Sequence, residues 1–189
     1  MKKTDDIDPE YTNEDFSPLA RKLIQQSHTS ILEHANIVFL CKGISRSLLA
    51  QVTRHRTFSF TSASQHYQDY REYPMSIRPD CPVAFSYAEA LNSALDWYIH
   101  LISIGEKPEE ARQVLPNACT VNLMITANLR ALINFFEQRL CNRNTEEMQT
   151  FAFKMKRVCD NIMPWVFEHV GTSCFTGKCN QGAMSCKKN

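Results

Sequence analysis

Arg54-His55-Arg56-Thr57-Phe58-Ser59-Phe60-Thr61-Ser62-Ala63-Ser64-Gln65-His66-Tyr67 is the stretch around which this chain is organised. Two arginines flank a histidine, and Thr57, Ser59, Thr61, Ser62, Ser64 and Gln65 follow with hydroxyls and an amide. No helical period runs through it, and from Ser59 to Gln65 the alternation is too loose for a plain amphipathic strand. Planar guanidiniums suit phosphate or carboxylate oxygens, and hydroxyls complete the shell around an anion. The same residue types also fit a basic surface turn.

Outside this stretch the charge is balanced. The 189 residues hold 21 Lys and Arg against 20 Asp and Glu, a net charge of +1. No global field therefore draws the chain to nucleic acid or to a membrane surface, and any anion site must be local. The length suits a single domain, 1–189, large enough to bury a core. Only five glycines are present, with neither G-x-G-x-x-G nor G-K-[ST], which argues against a dinucleotide fingerprint or a phosphate loop. No apolar run reaches the roughly 18 residues of a membrane span. The start, Met1-Lys2-Lys3-Thr4-Asp5-Asp6, lacks the apolar stretch of a secretory signal, so the expected setting is cytoplasmic. In that compartment the eight cysteines read as reduced thiols or metal ligands rather than a disulfide framework.

Residues 1–14 are polar and acidic and read as a flexible lead. Leu19, Leu23 and Ile24 predict a helix that starts near Ser17-Pro18 and ends near Ser27. Ile37 to Cys41 predicts a buried strand, and Ile44, Leu48, Leu49 and Val52 predict a helix that delivers the chain to Arg54. A polar, proline-bearing connection covers 72–82. Helices are expected over 86–104 and, briefly, from Pro108, a proline suited to a first turn. Asn117 to Arg139, with Leu123, Ile125, Ala127, Leu129, Leu132, Ile133 and Phe136, predicts one long central helix that is apolar on nearly every side. A last helix runs from about Thr145 to Phe167, interrupted or ended at Pro164, and residues 171–189 form a cysteine-rich tail.

Three further constellations stand out. His28-Thr29-Ser30-Ile31-Leu32-Glu33-His34 places two histidines six residues apart, not the i, i+4 pair that a zinc site on a helix needs; alone, it reads as a capped turn before a strand. Asn128, Arg130, Asn134 and Arg139 interrupt an apolar segment, and burying such groups costs several kcal/mol unless they are paired. Either they reach solvent at the polar ends of a core helix, or a ligand or partner subunit satisfies them. Cys174, Cys179 and Cys186, with His169 nearby, have loose spacing and no C-x2-C, so reduced thiols are expected rather than zinc, and no metal site is assigned.

Arg-His-Arg, seven residues, then Ser64 resembles the signature of the flavin-dependent thymidylate synthases. Arg112-Gln113-Val114-Leu115-Pro116 is similar to that family's Arg-x-Val-Leu-Pro. Asn128-Leu129-Arg130, Asn134 and Arg139 follow its Asn-x-Arg, Asn, Arg spacing. Arg139-Leu140-Cys141-Asn142-Arg143, then Glu147, and the tail (Gly171, Cys174, Cys179, Gly182, Cys186) resemble a Cys-Asn-Arg subgroup. The resemblance runs in one order from about Leu23 to Cys186. It implies an α/β (α+β) fold, an antiparallel sheet flanked by helices, assembled as a homotetramer with sites shared between subunits. It implies FAD as cofactor, and NADPH and methylenetetrahydrofolate as co-substrates in C5 methylation of a pyrimidine nucleotide. His28, Ser30, Arg54, His55, Arg56, Ser62, Asn128, Leu129, Arg130 and Asn134 take the flavin positions. Gln51, Arg54, Ser62, Ala63, Ser64, Gln65, His66, Arg112 and Arg139 take the nucleotide positions, with Arg139 catalytic against the pyrimidine ring.

The chain departs from the family pattern in places. Family members begin with a further strand and helix before the segment at His28. They usually carry Asn or Ser, then Glu or Gln, where Thr61 and Ser62 stand, and an arginine where His66 stands. These differences keep a relative acting on dCMP or UMP, and a catalytically silent flavin-binding homologue, beside dUMP methylation to dTMP. A nucleic-acid binder using Arg54, Arg56 and Phe58 is a reading from another class, against which the near-zero net charge weighs.

Overall fold

A computed structural model describes residues 17–64, 70, 83–177, 179 and 181–186. The expected lead over 1–14, the 72–82 connection, Gln65, His66 and Tyr67 lie outside the described residues. Strand β1 is Asn36–Ser45, β2 Ser59–Ser62 and β3 Thr120–Asn128. The helices are α1 Ser17–Gln25, α2 Arg46–Val52, α3 Ala84–Ser103, α4 Pro108–Ala111, α5 Leu129–Arg139, α6 Glu146–Ile162, α7 Pro164–Phe167 and α8 Ser173–Thr176. The fold is α+β.

The expected long helix over 117–139 is two elements. Its first part is β3, the middle of a sheet ordered β1-β3-β2 in which both pairings are antiparallel. Thr120, Val121, Ile125 and Thr126 are β-branched and stiff at χ1, which favours a pleated strand. Val121, Leu123, Ile125 and Ala127 are buried, whereas Asn122, Met124, Thr126 and Asn128 are less so, the period of two that belongs to a strand. The apparent all-round apolarity of this region was a two-residue alternation running directly into a helical one. The switch is at Asn128: its backbone is extended (ψ 162°) and its side-chain oxygen accepts the Ala131 N–H at 2.8 Å, an N-cap. The helix that remains, α5, has 11 residues, and the longest described helix is α3 with 20.

The signature also supplies a strand that its loose alternation did not suggest. In β2, Phe60 stands opposite Ile125 and Ser62 opposite Leu123, while Ser59 and Thr61 face Thr126 and Met124. Ile44, expected in the following helix, closes β1 instead. The β1–β3 register slips between Cys41 and Ile44, so Lys42 and Gly43 together oppose Asn122. Gly43 takes φ +67°, and its N–H donates to Asn122 Oδ1 at 3.1 Å, a bulge that glycine accommodates without strain.

One face of the sheet builds the core. Phe39, Ile44, Leu123 and Ile125 pack with Leu48 and Val52 of α2, Leu132, Phe135 and Phe136 of α5, and Met148 and Met155 of α6. The opposite face leaves Val38, Leu40 and Met124 exposed at 60%, 63% and 46%. A smaller cluster of Tyr70, Tyr98, Ala111 and Cys119 joins α3 to α4.

Two polar contacts set the angle at which the chain enters the signature. Ser45 caps α2 by accepting the Leu48 N–H at 3.0 Å. Its own N–H and hydroxyl both donate to the Glu147 carboxylate, at 2.9 and 2.6 Å. Thus the first turn of α6 grips the start of α2, and α2 ends at the Thr53–Thr57 turns. Among the described residues no helix is long and apolar enough to cross a membrane.

Candidate active site

The turns after α2 follow from backbone bonding: His55 N–H donates to Val52 O and Phe58 N–H to His55 O, each at 3.0 Å. Phe58, buried at the end of the second turn, pins the loop to the core beside Phe135. His55 is thereby held against Phe135, ring centroids 4.9 Å apart and nearly perpendicular, and against Phe58 at 5.6 Å. Arg54 and Arg56 on either side remain exposed.

Arg139 reaches the same place from the last turn of α5. Its Nε–H donates to His55 Nε2 at 2.8 Å and its Nη1 to Asn144 Oδ1 at 3.1 Å. Because Nε2 accepts, the neutral His55 ring carries its proton on Nδ1. Burial, and secondly the Arg139 guanidinium, lower the His55 pKa to about 4, so the ring is neutral at physiological pH. Burial also lowers the Arg139 pKa, with the neighbouring Arg54 charge as the second cause. Two guanidiniums share this corner with a neutral imidazole, and no ion pair to either is found among the described residues. Like charges gathered without a carboxylate are suited to receiving an anion.

The remaining candidates separate in space. Gln51, half-buried in α2, accepts a long 3.4 Å bond from the Thr145 hydroxyl. Ser62 ends β2 opposite Leu123, the Ala63 N–H donates to Asn122 O at 3.1 Å, and Ser64 follows exposed. On α5, Leu129 is a core residue, while Arg130 and Asn134 are exposed. The burial cost expected for these two polar groups therefore does not arise within one chain. They are four residues apart and share one helix face, whereas Arg139, nine residues from Arg130, lies roughly 13 Å further along the axis on the opposite side. His28 and Ser30 are exposed on the Thr29–Glu33 turn, which packs against α5. Arg112 belongs to neither group. It follows α4, and its Nε–H donates to Glu109 O at 2.9 Å.

Sequence reasoning missed Asn144 and Ser45. Asn144 directly follows the Cys141-Asn142-Arg143 segment, five residues beyond Arg139, and only the chain reversal between α5 and α6 brings it back. Ser45 had a visible signal, a serine before the apolar spacing of α2, but its partner Glu147 is 102 residues away.

A cleft of about 1330 Å3 opens between the α5–α6 connection, α6 and the tail. Of the residues in the expected flavin and nucleotide positions Arg139 alone lines it, with Asn144 beside it; the guanidiniums around His55, not the volume of this cleft, define the candidate site. Among the described residues, the tail cysteines and His169 form no group that could hold a metal ion.

The family of proteins described as thymidylate synthase complementing protein matches residues 1–165. The chain belongs to this family. It is 33% identical over 190 residues to the flavin-dependent thymidylate synthase of Geobacter sulfurreducens, covering 97% of this chain and 82% of that one. The corresponding protein of Clostridium tetani is 32% identical over 197 residues, covering 94% and 79%. That of Sulfurisphaera tokodaii is 34% identical over 167 residues, covering 86% and 65%. As a member of the thymidylate synthase complementing protein family, the chain carries its signature on the Thr53–Thr57 turns and β2, and its Asn-x-Arg segment on the β3–α5 junction.

Proposed function

We propose that this protein is a flavin-dependent thymidylate synthase that methylates C5 of dUMP to give dTMP, with methylenetetrahydrofolate as carbon donor and NADPH as reductant. The observation that carries this reading is the Arg54–His55–Arg139 corner: two cations around a neutral imidazole, reached only by folding the signature onto the end of α5. The relatives, named as flavin-dependent thymidylate synthases, favour dUMP over dCMP or UMP.

FAD fits the donor set on the outer side of α5. Arg130 offers a planar cation to a diphosphate, Asn134 adds an exposed amide on the same face, and His28 and Ser30 are exposed polar groups on the turn that packs against α5, with Arg54 and Arg56 exposed in the signature. When bound, FAD supplies the hydride that completes the methyl group. Asn128 serves this surface indirectly, since its side-chain oxygen is committed to the α5 cap.

The chain's own residues do the rest. Arg54, with Ser62, Ala63 and Ser64 at the end of β2 and with Gln51, binds the nucleotide. Arg139 sits where negative charge develops on the activated pyrimidine. A cation half-removed from water acts there with less screening and needs no reorganisation. His55 binds Arg139 through Nε2 without adding charge. Arg112, whose planar guanidinium suits phosphate oxygens, grips the phosphate. The placement of Arg130 and Asn134 on the side of α5 opposite Arg139 supports sites shared in a homotetramer. So does the outer sheet face, where Val38, Leu40 and Met124 stand exposed. Such an enzyme of nucleotide synthesis belongs in the cytoplasm.

The test is the visible spectrum of the purified protein together with dTMP formation from dUMP, methylenetetrahydrofolate and NADPH. A flavin spectrum near one FAD per chain and turnover that Arg139→Ala abolishes while FAD stays bound are expected. A colourless protein that binds single-stranded DNA in a salt-dependent way overturns the reading.

A further inference from the structure

Resting on the reading that Arg139 faces the pyrimidine, we propose that Asn144 is the positioning residue that orients the Arg139 guanidinium for the reaction. Asn144 uses every polar atom of its side chain. Its Oδ1 accepts from Arg139 Nη1 at 3.1 Å, and its Nδ2 donates to the carbonyls of Gln138 at 2.8 Å and Cys141 at 3.1 Å. Its backbone is held too: the N–H donates to Cys141 O at 3.0 Å, and the carbonyl accepts from Gln149 Nε2 at 2.8 Å.

These bonds decide which way the amide points. Gln138 lies in the last turn of α5, where carbonyls lack partners within the helix, so the amide nitrogen caps them. Rotating the amide by half a turn sets its NH2 against the Arg139 donor and its oxygen against two carbonyl oxygens, three unfavourable contacts at once. Oδ1 is thus locked toward Arg139. From the other side His55 Nε2 accepts from Nε at 2.8 Å. Two acceptors on different nitrogens fix the plane of a rigid guanidinium. Nη2 is then the nitrogen without a hydrogen-bond partner among the described residues, free to meet substrate.

Both acceptors are neutral. A carboxylate in place of Asn144 would hold the guanidinium at least as firmly, but would cancel the charge that the reaction uses. An amide together with a neutral imidazole orients the cation and leaves its charge uncompensated.

The experiment compares Asn144→Ala with Gln149→Ala, which loosens the same loop but leaves Oδ1 in place. It also places Asn144→Ala in an Arg139→Lys background. Full-length protein is assayed for dTMP formation, and the His55 imidazole is titrated by NMR. Asn144→Ala is expected to lower kcat about tenfold or more, with KM for dUMP within about twofold. It is also expected to raise the His55 midpoint, as a released guanidinium no longer repels the proton. Gln149→Ala should change neither. With Arg139→Lys already present, Asn144→Ala should cause no further loss, because it acts through the arginine. An unchanged His55 titration in Asn144→Ala, an equal kcat loss in Gln149→Ala, or a full multiplicative loss in the Arg139→Lys background would overturn the proposal. A wild-type chain that does not act on dUMP sinks the reaction reading instead, and the His55 titration of Asn144→Ala then still decides the positioning.

Discussion

Lowering the pH from 7.5 to 5 should destabilise the wild-type protein more than His55→Gln, and the size follows from the site. The folded ring has a pKa of about 4, against 6.5 for the free side chain, because burial and then Arg139 oppose its charge. Below pH 6.5 the unfolded chain takes up a proton that the folded chain refuses until about pH 4. Stability from this residue is therefore intact above 6.5 and is lost progressively as pH falls through that window. At pH 5 the full effect is about 2 kcal/mol; solvent screening at a half-buried ring reduces it to about 1 kcal/mol. Glutamine keeps an acceptor for Arg139 Nε but does not titrate, so other ionisations cancel in the comparison. Urea unfolding by circular dichroism at both pH values, at one protein concentration, gives the difference. With a slope of about 2 kcal/mol per molar, the wild-type midpoint should drop by about 0.5 M more than that of His55→Gln. Equal drops, or a larger drop in the variant, would refute the view that His55 is held neutral against Arg139.

Three other outcomes are expected. Glu147→Ala removes the acceptor of both the Ser45 N–H and hydroxyl and should cost about 1–3 kcal/mol, read as a lower urea midpoint; a neutral result would mean that α6 does not brace α2. Asn128→Ala should lose about 1 kcal/mol through the missing α5 cap, while Asn128→Ser stays within a few tenths; equal losses in calorimetry would exclude the capping role. Leu40→Glu places a charge on the exposed sheet face among Val38 and Met124, so sedimentation velocity should show smaller species than wild type; an unchanged assembly would remove this face from the subunit interface.

How far the residues by themselves reached varies along the chain, for identifiable reasons. Pro164 ended α6 where expected, since a proline within a helical pattern removes a hydrogen bond and clashes with the preceding turn. Pro108 opened α4 for the complementary reason, because a first-turn N–H has no partner to lose. The region 117–139 misled because Leu123, Ile125, Ala127 and Leu129 alternate while Leu129, Leu132, Ile133 and Phe136 follow a helix. Merged, the two periods imitate one helix that is apolar all round. Asn128 was noticed as a polar interruption, but as a ligand for FAD rather than as the cap that divides strand from helix.

The sequence alone determined the local chemistry: an arginine-flanked histidine followed by hydroxyls, a balanced net charge that makes any anion site local, and the segments that mark the family. These depend on residue type and on spacing along the chain, which folding does not alter. Only the tertiary structure decided that β3 stands at the centre of the sheet, since strand order depends on pairings between distant residues such as Phe39 with Ile125 and Phe60 with Ile125. It alone brought Arg139 against His55, 84 residues away, and turned Asn144 back onto the same guanidinium. It also set Arg130 and Asn134 on the far side of α5. Helical twist turns residues nine apart to opposite faces, so a motif that is continuous in sequence serves two different surfaces.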